Sequence, residues 1–268
     1  MREASSTQTG IGESYSRLVD KGLIDAVGPY PGDNRARDAV ALALLLPKCE
    51  EWSEILPVVS PLPRGWKYSS FTPREFFDLF LGDKKKGGKD GKGGGRCRTV
   101  PVVDGDLFAD IHEIWNRRKW TGLSRLVVRG EFSLAHCSTI QSLDITCLGT
   151  LAIEDCLSLK TLRGEVFGDT VITNSGVGDL GADFRCRGEV FLEGCQELRR
   201  INCEVGGNFT VESCGLRSTG PAFSVGGKAN FSSCPALERL AGVIAGKGRI
   251  EPGLRNDVDC SHLLVHGN

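Results

Sequence analysis

The chain has 268 residues, with 35 glycines, 11 cysteines and a formal net charge of −1. Near-neutral charge excludes a global electrostatic attraction to nucleic acid or to anionic membranes. The longest apolar run, Ala39 to Leu46, falls well short of the roughly 20 residues that a spanning helix requires.

Residues 1–12 are polar and are expected to be disordered. They lack the apolar stretch of a classical secretory leader, so a cytoplasmic protein is expected. Secretion into a host cell without a signal peptide is the alternative. Residues 13–82 read as a helical region, with apolar positions at Leu18, Leu23, Ile24 and Val27 and a second stretch over 35–46. Thr72-Pro73-Arg74-Glu75 is a helix start: the hydroxyl caps, proline suits the first turn, and glutamate three residues on closes a capping box. Residues 83–98 (DKKKGGKDGKGGGRCR) have almost nothing to bury and read as a flexible loop. They are not a phosphate loop, because Gly-Lys is followed by glycine rather than Ser/Thr. Leu107, Phe108, Ile111, Ile114 and Trp115 recur at helical spacing, so a helix capping the next domain is expected within 99–122.

Residues 123–268 carry a repeat. Gly130, Gly149, Gly168, Gly188, Gly207, Gly227 and Gly246 are spaced by 19 or 20 residues. Two residues before each sits an apolar side chain, and seven after sits Cys137, Cys156, Ser175, Cys195, Cys214, Cys234 or Gly253. A fixed period near 20 residues is the mark of a solenoid, whose units touch only their neighbours. Between glycine and cysteine the pattern alternates, as in Leu151/Ile153 and Phe209/Val211, predicting a short strand with one inward face. After the cysteine the period is three, as in Cys156/Leu159/Leu162, predicting a tighter return. No Cys-x-x-Cys pair occurs, so the cysteine column is expected to pack as reduced, buried thiols.

The phrases LAIEDCLSLKTL (Leu151 to Leu162) and VFLEGCQELRRI (Val190 to Ile201) resemble leucine-rich repeats. The resemblance spans about Leu123 to Gly253 and lies nearest the short repeats of bacterial leucine-rich proteins, secreted effectors among them. Val205-Gly206-Gly207-Asn208-Phe209-Thr210-Val211 carries the Val-Gly-Gly phrase of such arrays, whereas Asn174-Ser175-Gly176 and the return Gly215 to Pro221 depart from it. It implies an α+β, leucine-rich-repeat-like solenoid behind a helical N-terminal region. A right-handed parallel β-helix is the rival architecture.

Aligned strands would stack their outward residues in columns. Glu154, Glu193 and Glu212 fall in one, Asp169 and Glu189 in another, and Phe191 and Arg249 in a third. These seven are the candidate partner-binding residues, and a protein with a basic surface is the expected partner. No HExxH, nucleophile elbow or Cys-x-Asp motif is present, so no catalytic residue, metal or cofactor is expected. The expected function is a non-enzymatic protein–protein interaction module. A structural subunit stacking end to end as a homo-oligomer, or a bacterial effector recognising a host protein, are the alternatives. Val258 to Val265 read as a partial eighth turn that would leave an edge open to pairing.

Overall fold

The computed structural model describes residues 67–76, 99–110, 122–246, 248–250 and 258–266. Residues 1–12, the segment 83–98 expected as a loop and most of the segment 13–82 expected as helical lie outside them.

In chain order, β1 (Lys67–Phe71) is followed by a one-turn helix α1 (Pro73–Phe76), β2 (Thr99–Val103) and β3 (Leu107–Asp110). Then come β4 (Gly122–Val128), β5 (Phe132–Ala135), β6 (Ser142–Cys147), β7 (Leu151–Glu154), β8 (Thr161–Val166) and β9 (Thr170–Thr173). The middle coils contain β10 (Asp179–Leu180), β11 (Phe184–Cys186), β12 (Val190–Glu193), β13 (Arg200–Ile201), β14 (Glu204–Val205) and β15 (Phe209–Glu212). The last are β16 (Ser218–Thr219), β17 (Ser224–Val225), β18 (Ala229–Ser232), β19 (Arg239–Ile244), β20 (Gly248–Ile250) and β21 (Asp259–Val265).

These strands form a parallel β-solenoid of two sheets. The smaller sheet stacks eight strands in the order β20-β18-β15-β12-β9-β7-β5-β3. The larger has 13 and runs up the opposite side of each coil. In it β8 pairs with both β10 and β11, and β19 with both β16 and β17, so one long strand in a coil becomes two short ones between them. Gly164 (φ 110°) and Gly242 (φ 112°) bend the two long strands at the point of division.

Alternation in the sequence sets the inward face. Along β5, β7, β9, β12 and β15 the first and third residues are buried, and the even positions are half-buried or exposed. Phe209, Phe223 and Phe231 fill the later coils, with ring centroids 5.1 to 6.3 Å apart and tilted or edge-on geometry.

Two further columns make the corners. Each repeat glycine donates its N–H to the carbonyl of the glycine one coil before, as Gly207 does to Gly188 at 2.9 Å. After the strand, His136, Asp155, Asn174, Gly194, Ser213 and Ser233 all take left-handed backbone angles, with φ from 47° to 65°. Most of these are residue types that tolerate that conformation, and each turns the chain just ahead of the cysteine column.

The capping box forms as the motif suggests. The Thr72 N–H donates to Glu75 Oε2 at 2.8 Å, and the Glu75 N–H donates to Thr72 Oγ1 at 3.3 Å. Donation by the Thr72 N–H, and then by its hydroxyl, holds the Glu75 carboxyl below its ordinary range.

Two expectations need correction. The return side of the coils is strand, so the cross-section fits the parallel β-helix alternative rather than an α+β array. The capping helix expected within 99–122 is not what 99–110 form: β2 and β3 are strands that pair in parallel with β4 and β5. Leu107 and Ala109 point inward while Phe108 is 60% exposed. Residues 111–121 lie outside the described set. The array therefore starts one coil earlier than the regular spacing showed, with Gly105 accepting the N–H of Gly130 at 3.2 Å.

Where the chain bows out at 220–223, a side chain replaces a ladder rung. The buried Thr219 hydroxyl accepts the Ala241 N–H and donates to the Ala241 carbonyl, both at 2.7 Å. Thr219→Val leaves both backbone groups unsatisfied, and a cost of about 2 kcal/mol is expected in the urea unfolding midpoint.

Candidate functional site

The outward face of the smaller sheet is ruled into columns by its register. At the strand ends the order is Asp110, Ala135, Glu154, Thr173, Glu193, Glu212, Ser232. Glu193 and Glu212 are therefore direct neighbours on β12 and β15, with Glu154 two strands from Glu193. All three are exposed. None of the three carboxylates has a hydrogen-bonded or ionic side-chain partner among the described residues.

The middle column reads Phe108, Ser133, Ala152, Val171, Phe191, Thr210, Asn230, Arg249. Phe191 is half-buried between Val171 and Thr210. The more exposed aromatic is Phe108, which belongs to the same column at its N-terminal end. Sequence reasoning missed it because its neighbours mimic helical spacing. Arg249 lies on β20, three strands from Phe191.

Asp169 and Glu189 have a different job. They sit just before the strands, where side chains tie one coil to the next. Asp169 Oδ1 accepts the Glu189 N–H at 2.7 Å, and Glu189 Oε1 accepts from Asn208 Nδ2 at 2.7 Å. Asn208 Oδ1 then accepts the Lys228 N–H at 2.9 Å, and Asp106 does the same for Glu131. This column is a polar seam of the solenoid, so these two carboxylates are partly occupied and the strand-end glutamates are not.

Behind the face lie the thiols. Cys156, Cys195 and Cys214 donate to main-chain carbonyls of their own and the preceding coil at 3.2 to 3.7 Å. Ser175, which replaces cysteine in one coil, donates to Thr173 O at 2.8 Å and accepts the Cys156 N–H at 3.1 Å. Burial pushes Cys147, Cys156 and Cys203 up to about 12 and Cys186 up to about 11. Such thiols stay protonated near neutrality and are poor nucleophiles there. Among the described residues, no group of three or more His, Cys, Asp or Glu could hold a metal ion.

The larger sheet presents a different surface. Arg187, with only 7% of its side chain exposed, binds Glu165 at 2.6 Å and Glu204 at 3.4 Å, and Arg185 reaches Glu204 at 3.5 Å. Near the C-terminal end a cleft of about 950 Å³ is lined by Arg200, Arg217 and Arg239 against Glu238 and Asp259. Its charges nearly balance, and Arg239 is already paired with Asp259 at 3.4 Å.

Compared with known proteins, the chain matches no family model, no curated protein and no solved structure. Among the described residues no helix is long and apolar enough to cross a membrane.

Proposed function

We propose that this solenoid is a non-enzymatic protein-binding module, and that its smaller sheet receives a partner with a basic surface. The observation that carries the reading is the alignment of Glu193 beside Glu212 with no compensating cation among the described residues. Like charges directly opposite on neighbouring strands destabilise a sheet. A lysine or arginine from a partner would relieve that repulsion, which turns a small internal cost into binding energy. Eight strands at about 4.8 Å give a face roughly 34 Å long, enough for one side of a standard interface. Phe191 and Phe108 supply apolar contact along it.

The test separates binding from folding. In Glu193→Gln plus Glu212→Gln, the free protein is expected to gain up to about 0.5 kcal/mol of stability. A displayed library of Lys/Arg-rich peptides should enrich on the wild type and lose at least tenfold in recovery on the double variant. Equal recovery on both proteins would remove the acidic face as the binding surface.

A further inference from the structure

The last coil ends in the most exposed apolar strand of the described fold. β21 pairs in parallel with β19 over five register positions, from Arg239↔Asp259 to Ile244↔Val265. No strand follows it in the larger sheet among the described residues. The edge it turns outward therefore carries main-chain N–H and C=O groups without a strand to pair with. Leu264 is 59% exposed and Val265 46%, two of the four large apolar side chains exposed among the described residues.

Natural sheets blunt such edges with lysine, proline, bulges or inward charges. One such irregularity falls between Asp259 and His262, where the register with β19 shifts and the Ser261 N–H is taken by Asp259 Oδ1 at 3.0 Å. Beyond it, His262 to Val265 read His-Leu-Leu-Val, with no lysine, arginine, carboxylate or proline. The one charge of the strand, Asp259, is held by Arg239. At the opposite end of the larger sheet stands β1, which pairs with β2.

We propose that β21 is a self-association edge, and that two copies of this chain join tail to tail by antiparallel pairing of His262–Val265, its regular part, about a two-fold axis. The two larger sheets then become continuous. Leu264 and Val265 of each copy are covered by the other. A two-fold contact uses the same patch on both subunits and closes after two, so the product is a dimer and not a filament. One strand pair buries less than the roughly 1,600 Å² of a standard interface, so the dimer should be weak and concentration-dependent.

Sedimentation velocity of the full chain over a wide concentration series tests this. The wild type should move from monomer to dimer and stop there. Leu264→Lys plus Val265→Lys, at exposed positions, should remain monomeric with an unchanged circular dichroism spectrum. Glu193→Gln plus Glu212→Gln, on the other sheet, should dimerise like the wild type, which keeps the outcome distinct from that of the acidic face. Amide hydrogen exchange over 262–265 in the wild type should slow as concentration rises, a readout that depends on no variant. A wild type that stays monomeric throughout, a lysine variant that still dimerises, or exchange independent of concentration would each overturn the proposal. So would growth beyond the dimer, which would assign the contact to a head-to-tail stack.

Discussion

Raising the pH from about 9 to 11 is expected to unfold the solenoid in a cooperative transition, driven by its buried thiols. Cys147, Cys156 and Cys203 are held near 12 and Cys186 near 11, against 9.0 for a free thiol. These folded values lie above the unfolded one. Their contribution is therefore intact below about pH 9 and is lost as the pH climbs towards 11 and 12. Over that window the unfolded chain has released protons that the folded chain still binds, so stability falls with pH. One thiol removes about 1.4 kcal/mol per pH unit, and four remove about 5 kcal/mol per unit. Against a typical domain stability of about 5–15 kcal/mol, one to two pH units are decisive. Circular dichroism against pH should show the midpoint, and the slope should report several protons, since Cys214 and Cys234 are pushed up as well. The repeat itself offers the control. Val128, Val166, Val205 and Val225 occupy the position of Cys147 and Cys186 in other coils, so Cys147→Val plus Cys186→Val should fold. It should lower the slope and raise the midpoint. An unchanged midpoint and proton count would mean that other groups drive the transition.

The second large effect concerns the glycine column. A Cβ at Gly207 would lie 2.8 Å from the Gly188 carbonyl oxygen and 2.9 Å from its carbon, both main-chain atoms of the coil before. Neither can swing away as a side chain would. Gly207→Ala must therefore force two coils apart where the N–H of one meets the carbonyl of the other. A loss of about 3 kcal/mol is expected in chemical denaturation. Gly181, with nothing within 4 Å of its would-be Cβ, is the matched control. Gly181→Ala should stay within about 0.5 kcal/mol. Similar losses at both sites would mean that chain entropy, and not coil contact, explains the glycines.

This contrast shows why so much of the architecture was legible in the sequence. A residue that must be glycine because backbone meets backbone recurs wherever that approach recurs, so Gly149 to Gly246 announce the coils. The alternation Leu151/Ile153 or Val190/Leu192 fixes which side of each strand is wet, and with it the columns of Glu154, Glu193 and Glu212. The first coil escaped because Gly105 stands 25 residues before Gly130 instead of 19 or 20. In addition, Phe108 beside Leu107 looks like part of a helical stripe. The return was misread for a related reason. Strands as short as Arg200–Ile201 and Ser218–Thr219 leave too few residues for a period to show. Nor could spacing reveal that Asp169 and Glu189 serve the coil-to-coil seam, since an exposed carboxylate and one accepting an N–H look alike in a sequence.

Every rung of this fold joins one coil to the next, so the rungs all point along the direction in which coils are stacked. A pull across the stack is shared by many of them at once. A pull from end to end falls on the weakest junction first, and the stack would open there one turn at a time. The same arrangement that makes the faces firm makes the long axis the direction of mechanical failure.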